Sequence, residues 1–164
     1  MYILCKWSIF MIKVTGGSKS QQQHTIGLVN FCIKKLMPKM NLDITVKFKK
    51  LDGVYGYCNS DPQGDAERLD RPRAFELEIH NKMPLRKVLE TVAHEMVHVK
   101  QYARGELYQS GVTGMHRWHG EWISKDPEYW DCPWEWEAMG RETALFIQYA
   151  EANSLGKKKW AKDI

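Results

Sequence analysis

Cysteine is scarce in this chain, and the cysteines present are not spaced for any known framework. Cys5, Cys32, Cys58 and Cys132 form no C-x-x-C pair, so no zinc ribbon is encoded. Their spacing does not match the disulfide framework of a small secreted domain, and free buried thiols in a reducing compartment are expected. Long apolar runs are also missing. The most apolar stretch, Met1 to Val14, is interrupted by Lys6 and falls short of the roughly 17–25 residues that span a bilayer. No basic segment precedes it and no small-residue cleavage site follows, which argues against a signal peptide. There is no internal repeat. No one sign of charge dominates either: 24 Lys and Arg against 20 Asp and Glu leave a net charge of +4, part of it from Lys157, Lys158 and Lys159. That balance is weak support for a nucleic-acid partner, and a solvated basic tail over 154–164 is the simpler expectation.

What remains is 164 residues, 43% apolar and 27% charged. This describes one ordinary globular domain, 1–164, large enough to bury a core without covalent staples. A cytoplasmic location is expected, the host cytoplasm if the gene is viral. Residues 1–10 read either as a strand or as an extension upstream of a start at Met11, where MIKVT opens as a strand followed by a loop.

Periodicity predicts the remaining elements. A helix is expected from about His24 to Met37, ended by Pro38. Leu42, Ile44, Val46 and Phe48 alternate with polar residues as in a half-buried strand. Asp52-Gly53 signals a tight turn, with Val54 to Cys58 returning as the second strand of a hairpin. Asn59 to Pro72 reads as an irregular loop, and Phe75, Leu77 and Ile79 mark another strand. Pro84 can open a helix whose apolar face runs to Arg104, with Gly105 as its stop. Residues 105–132 are aromatic and aperiodic, a long loop. Pro133 opens a last helix to about Asn153. The pattern is α+β, with a small antiparallel or mixed sheet packed on helices.

The chemistry lies in His94-Glu95-Met96-Val97-His98. On a helix, spacing i, i+4 sets two imidazoles about 40° apart and one turn above each other. Two ring nitrogens can then reach one tetrahedral ion at about 2.0–2.1 Å. Zinc suits neutral imidazole. Glu95 sits beside the first ligand, where it can serve as general base towards a metal-bound water. A chance pair of core histidines is the bland alternative. It would leave a carboxylate buried without a partner, at a cost of several kcal/mol. A catalytic zinc needs a third protein ligand and an open position. The candidates are His119, in His116-Arg-Trp-His119-Gly-Glu-Trp122, and a carboxylate of Pro133-Trp-Glu135-Trp-Glu137-Ala138.

These stretches carry a family resemblance. IKVTGGS at 12–18, FCIKKLMPKM at 31–40, FELEIH at 75–80, HEMVHVKQYARGEL at 94–107 and PWEWEAMGRE at 133–142 resemble SprT-like and gluzincin-type zincins. The closest likeness is to small metallopeptidases encoded in phage genomes. The resemblance implies a zincin-like minimal metallopeptidase domain, with HExxH on the central helix, Zn2+ as cofactor and a protein or peptide substrate. SprT-like proteins carry H-G-x-x-[FW], which His119-Gly120-Glu121-Trp122 fits in part. Gluzincin-like families use the Glu of E-x-x-A, which Glu135 to Ala138 fits. The phage proteins share PWExEA, which favours Glu135 as third ligand; His119 and Glu137 stay as alternatives. Glu135, Ala138 and Glu142 share a helix face at i, i+3 and i+7, so Glu142 is placed to accept the second N–H of a ligand imidazole. Glu137 points about 200° away from Glu135. In zincins the strand beside the site offers its free edge to substrate, a role expected of Arg73 to His80. Tyr102, Tyr108, Tyr129 and Trp130 could line the cleft or stabilise an oxyanion, though packing is the commoner use of such rings. The C-terminal zinc ribbon that often accompanies SprT-like domains is absent, so a DNA-linked role is not carried over. A non-catalytic zincin-fold module, binding or structural in a phage context, is the alternative function.

Overall fold

The computed structural model describes residues 2–4, 11–60, 62, 70–124 and 127–162. Cys5, residues 163–164 of the tail and most of the expected loop between Asn59 and Pro72 lie outside the described residues. The first strand, β1 (Tyr2–Leu4), pairs antiparallel with β2 (Met11–Thr15). The helix α1 (Lys19–Leu36) then leads to β3 (Asp43–Lys49), which lies parallel to β2. This is a βαβ crossover, as a parallel pair requires. Two further strands, β4 (Gly56–Asn59) and β5 (Ala74–His80), complete a mixed sheet of order β1-β2-β3-β5-β4.

One face of that sheet makes the core. Ile12, Val14, Ile44, Val46, Phe48, Phe75, Leu77 and Ile79 are all buried, and they pack with Leu28, Val29 and Cys32 of α1 and with the helix α2 (Leu85–Arg104). The opposite face is polar and carries cross-strand ion pairs such as Lys47–Glu76 at 2.8 Å. Such exposed pairs contribute little to stability. They do fix which face turns inward, because a one-residue slip would bury the charges.

α2 is apolar on most of its circumference because neighbours surround it: α1 and the sheet on one side, and α3 (Pro133–Ala152) on the other. It stops where expected. Gly105 adopts φ 72°, its N–H bonds the Tyr102 carbonyl, and the Glu106 N–H bonds the Gln101 carbonyl at 2.8 Å. That left-handed residue with two reverse bonds satisfies the last orphan carbonyls of the helix.

Several expectations need correction. α1 begins five residues earlier than its apolar period suggested, because Ser18 accepts from the Gln21 N–H while Gln21 accepts from the Ser18 N–H, a capping box that allows a polar first turn. Val54 to Cys58 does not return against β3. Both edges of β3 are taken by parallel neighbours, so β4 pairs antiparallel with β5 instead. Residues 105–132 are not one loop: β6 (Leu107–Gln109), β7 (His116–Trp118) and β8 (Glu121–Ile123) form a small antiparallel sheet. Its inner side meets Trp134 and Cys132 in a satellite core, and a single 3-10 turn, Tyr129–Asp131, leads into α3. The tail is not wholly solvated. It forms α4 (Lys159–Lys162), in which Ala161 is buried and the Trp160 ring packs at a tilt against His24, centroids 4.9 Å apart. Arg86 donates to the Ala161 carbonyl.

That docking is testable. Trp160→Ala should lower the unfolding free energy by ~1–2 kcal/mol in urea denaturation, from apolar area returned to water. A solvated tail would leave the midpoint unchanged.

Candidate metal centre

α2 and α3 cross where His94 and His98 face the first turn of α3. Ala138, fully buried on α3, lets the two backbones approach closely. The near sides of the rings meet Glu135: His94 Nε2 lies 3.2 Å from Glu135 Oε2, His98 Nε2 lies 3.4 Å from Glu135 Oε1, and the two Nε2 atoms are 3.1 Å apart.

The far sides of the rings decide what those near atoms are. His94 Nδ1 is 2.8 Å from the Glu142 carboxylate, which can only accept, so Nδ1 carries the proton. His98 Nδ1 is 2.8 Å from Gln101 Oε1, also an acceptor. In the neutral rings both Nε2 atoms therefore present lone pairs, and they do so towards each other and towards a carboxylate. No proton then lies between either ring and the carboxylate, which takes a donated proton from Tyr129 alone among the described groups, and the arrangement calls for a cation. Two ligands about 2.0–2.1 Å from one tetrahedral ion sit about 3.3–3.4 Å apart. The two Nε2 atoms, and each Nε2 with its own nearer oxygen of Glu135, lie within a few tenths of an ångström of that spacing. His94, His98 and Glu135 can thus hold a metal ion, and they are the group among the described residues whose ligand atoms lie within 4.8 Å of one another.

The same electrostatics govern the metal-free protein. Burial works to lower the His94 pKa, but the bonds to Glu135 and Glu142 outweigh it and raise it to about 9. His98 moves upward for the corresponding reason, with Glu135 overcoming burial. Burial would push Glu135 up; hydrogen bonds from His94, His98 and Tyr129 hold it far below the usual carboxylate range instead. In the absence of a metal, a proton serves as the cation.

Glu95 lies on α2 next to His94 but turns towards β4. It is buried, and burial raises its pKa above the ordinary carboxylate value despite the neighbouring imidazoles. β4 passes so close that a Cβ at Gly56 would sit 2.5 Å from Glu95 Oε1 and 2.7 Å from Thr91 Cγ2. Only glycine lets the strand run there. Together β4, α2, the 3-10 turn and α3 wall a cleft of about 850 Å³, with His94, Glu95, His98 and Glu135 on its lining.

No family model, curated protein or solved structure matches this chain. The donor set itself must therefore carry the chemical reading. Glu135, favoured in the sequence, meets both imidazoles. His119 does not: it is exposed at the tip between β7 and β8, with φ 46° and its ring against Trp118, and it is not part of the cleft wall. Glu137 turns away to Lys100 at 2.6 Å and Arg141 at 3.0 Å. Glu142 makes the expected contact with His94. Tyr102, Tyr129 and Trp130 line the cleft, and the Tyr129 hydroxyl donates to Glu135 Oε2 at 2.9 Å. Tyr108 lies elsewhere, edge-on to Trp122 and under Arg117. Cys58 also lines the cleft, but its sulfur is not among the grouped ligand atoms of His94, His98 and Glu135. Gly56 and Gln101 were not singled out from sequence. Gln101 had a signal: it stands three residues after His98, on the same side of the helix.

Structural zinc sites bind with about 10–16 kcal/mol over four ligands, so losing one ligand should cost on the order of a hundredfold or more in affinity. His94→Ala, His98→Ala and Glu135→Ala should each show this loss in a zinc titration, and His119→Ala should not. Because His94 holds its proton to about pH 9 in the metal-free protein, binding near pH 7 must displace it. Calorimetry in buffers of different ionisation enthalpy should then report proton release, with affinity rising as the pH approaches 9.

Proposed function

We propose that this protein is a zinc-dependent metallopeptidase that hydrolyses peptide bonds, with His94, His98 and Glu135 holding the zinc and Glu95 as general base. The observation that carries the reading is the convergence of two imidazoles and a carboxylate into one possible ligand set, with a second, buried carboxylate one residue from a ligand and facing the same cleft. A site that only bound metal would have no need of Glu95 there. The resemblance of HEMVHVKQY and PWEWEA to zincin metallopeptidases points the same way.

A bound zinc ion would polarise the scissile carbonyl and lower the pKa of the attacking water. Glu95 takes the proton from that water as its oxygen bonds to the carbonyl carbon. It returns the proton to the amide nitrogen as the C–N bond breaks. A raised carboxylate pKa suits both halves of this exchange. Glu142 and Gln101 keep the imidazole lone pairs aimed inward throughout.

The substrate strand belongs beside β4 rather than at Arg73 to His80. β5 is enclosed by β3 and β4, so it has no free edge to offer. The His80 N–H bonds the Tyr55 carbonyl, and alternation in an antiparallel ladder then turns the Gly56 and Cys58 backbone groups outward. An extended peptide pairing there would run along the cleft past Glu95. Tyr55 and Tyr57, both exposed, flank that path.

Glu95→Gln should retain zinc at the wild-type stoichiometry while cleavage of an unfolded protein falls by roughly 10²–10⁴-fold. Chelation should abolish wild-type cleavage, and zinc should restore it. Zinc-loaded wild-type protein that cleaves no member of a broad substrate panel would overturn the assignment in favour of a binding module.

A further inference from the structure

Two parts of the sequence remain unused by the ligand set: the Lys100-Gln101 pair that follows His98, and Glu137, two residues beyond Glu135. They meet in the structure. Gln101 is fully buried. Its Nε2 donates to the Trp134 carbonyl at 2.9 Å and to Glu137 Oε2 at 3.0 Å. Both partners can only accept, so the orientation of the amide is settled: NH2 towards α3, oxygen towards His98. That oxygen accepts from His98 Nδ1. Glu137 is held in turn by Lys100, itself buried and paired at 2.6 Å with both Glu137 and Glu106.

We infer that Gln101 is a positioning residue for the metal centre, its one amide setting the His98 tautomer and locking the α3 turn that carries Glu135. Three features carry this. First, without an acceptor at Nδ1, His98 is free to place its proton on Nε2, where it would block ligation. Second, Trp134 immediately precedes Glu135, so the amide bond to its carbonyl fixes the backbone from which that ligand projects. Third, the amide cannot rotate to reverse its polarity without facing two acceptors with an oxygen. His94 has a carboxylate behind it and His98 a neutral amide, so the two ligands are tuned differently, the former towards stronger donation. The inference rests on the triad holding a cation, and it does not require the peptidase reading.

The test uses the full chain and zinc alone. In zinc-loaded wild-type protein, a ring ¹H–¹⁵N correlation should show the His98 proton on Nδ1, protected from exchange. Zinc affinity, read by competition with a chromophoric chelator, should fall roughly 10–100-fold in Gln101→Met, with loss of the protected ring proton. Gln101→Glu, close in shape, keeps an acceptor for His98 but sets a carboxylate against Glu137 and the Trp134 carbonyl. It should retain the His98 Nδ1 proton and still bind zinc more weakly, a split that a merely structural role would not produce. The inference is overturned if the wild-type His98 proton resides on Nε2, or if a folded Gln101→Met or Gln101→Glu protein binds zinc as wild type does. Should Gln101→Met fail to fold, the wild-type spectrum and Gln101→Glu still decide. A zinc-loaded wild type with these properties but no peptidase activity would leave the inference standing and remove the proposed function. A wild type that binds no zinc removes both.

Discussion

Two hydrogen bonds on the outer sides of two imidazole rings decide what this molecule can do. Glu142 behind His94 and Gln101 behind His98 each demand a proton at Nδ1. In the neutral rings both inner nitrogens are then lone pairs, and Glu135 adds its oxygens to the same small space. Mutually repelling acceptors held in this way are destabilised unless a cation is among them. The raised pKa of His94 and the depressed pKa of Glu135 express that demand in the metal-free chain.

The rest of the fold keeps those groups from relaxing apart. α2 is enclosed by the sheet, α1 and α3, so its rings cannot turn outward without breaking a close-packed core. α3 is held against it by Ala138, by the Gln101 bond to the Trp134 carbonyl, and by the buried Lys100 between Glu106 and Glu137. Removing one partner of such a buried pair is strongly destabilising, so this polar cluster fixes how the two helices meet. On the open side, Gly56 allows β4 to run against Glu95, which places a strand edge, a buried carboxylate and the triad along one cleft.

Much of this was legible in the sequence, and the illegible parts have identifiable causes. α2 and α3 could be read because long apolar periods, Gly105 and Pro133 marked their limits. The triad could be read because i, i+4 spacing on a helix is itself geometry, and Glu135 and Glu142 shared a face. The partner of β4 could not be read: alternation tells which face a strand buries and says nothing about its neighbour. Asp52-Gly53 makes a turn, but β3 had no edge left to accept a returning strand. β6, β7 and β8 are three residues each, too short to show a period. The start of α1 was legible and was missed, since Ser18 and Gln21 spell a capping box ahead of a polar first turn. Gly56 gave no local signal, because its constraint comes from Glu95, 39 positions along the chain. A zincin-like fold and zinc as the metal are proposals drawn from the resemblance and the donor set.

The most direct measurement is zinc K-edge X-ray absorption on the protein loaded with one equivalent of zinc. The account predicts two imidazole nitrogens and at least one carboxylate oxygen at about 2.0–2.2 Å, with no sulfur in the first coordination sphere. A sulfur contribution near 2.3 Å, a three-imidazole environment, or a fully hydrated ion would contradict it.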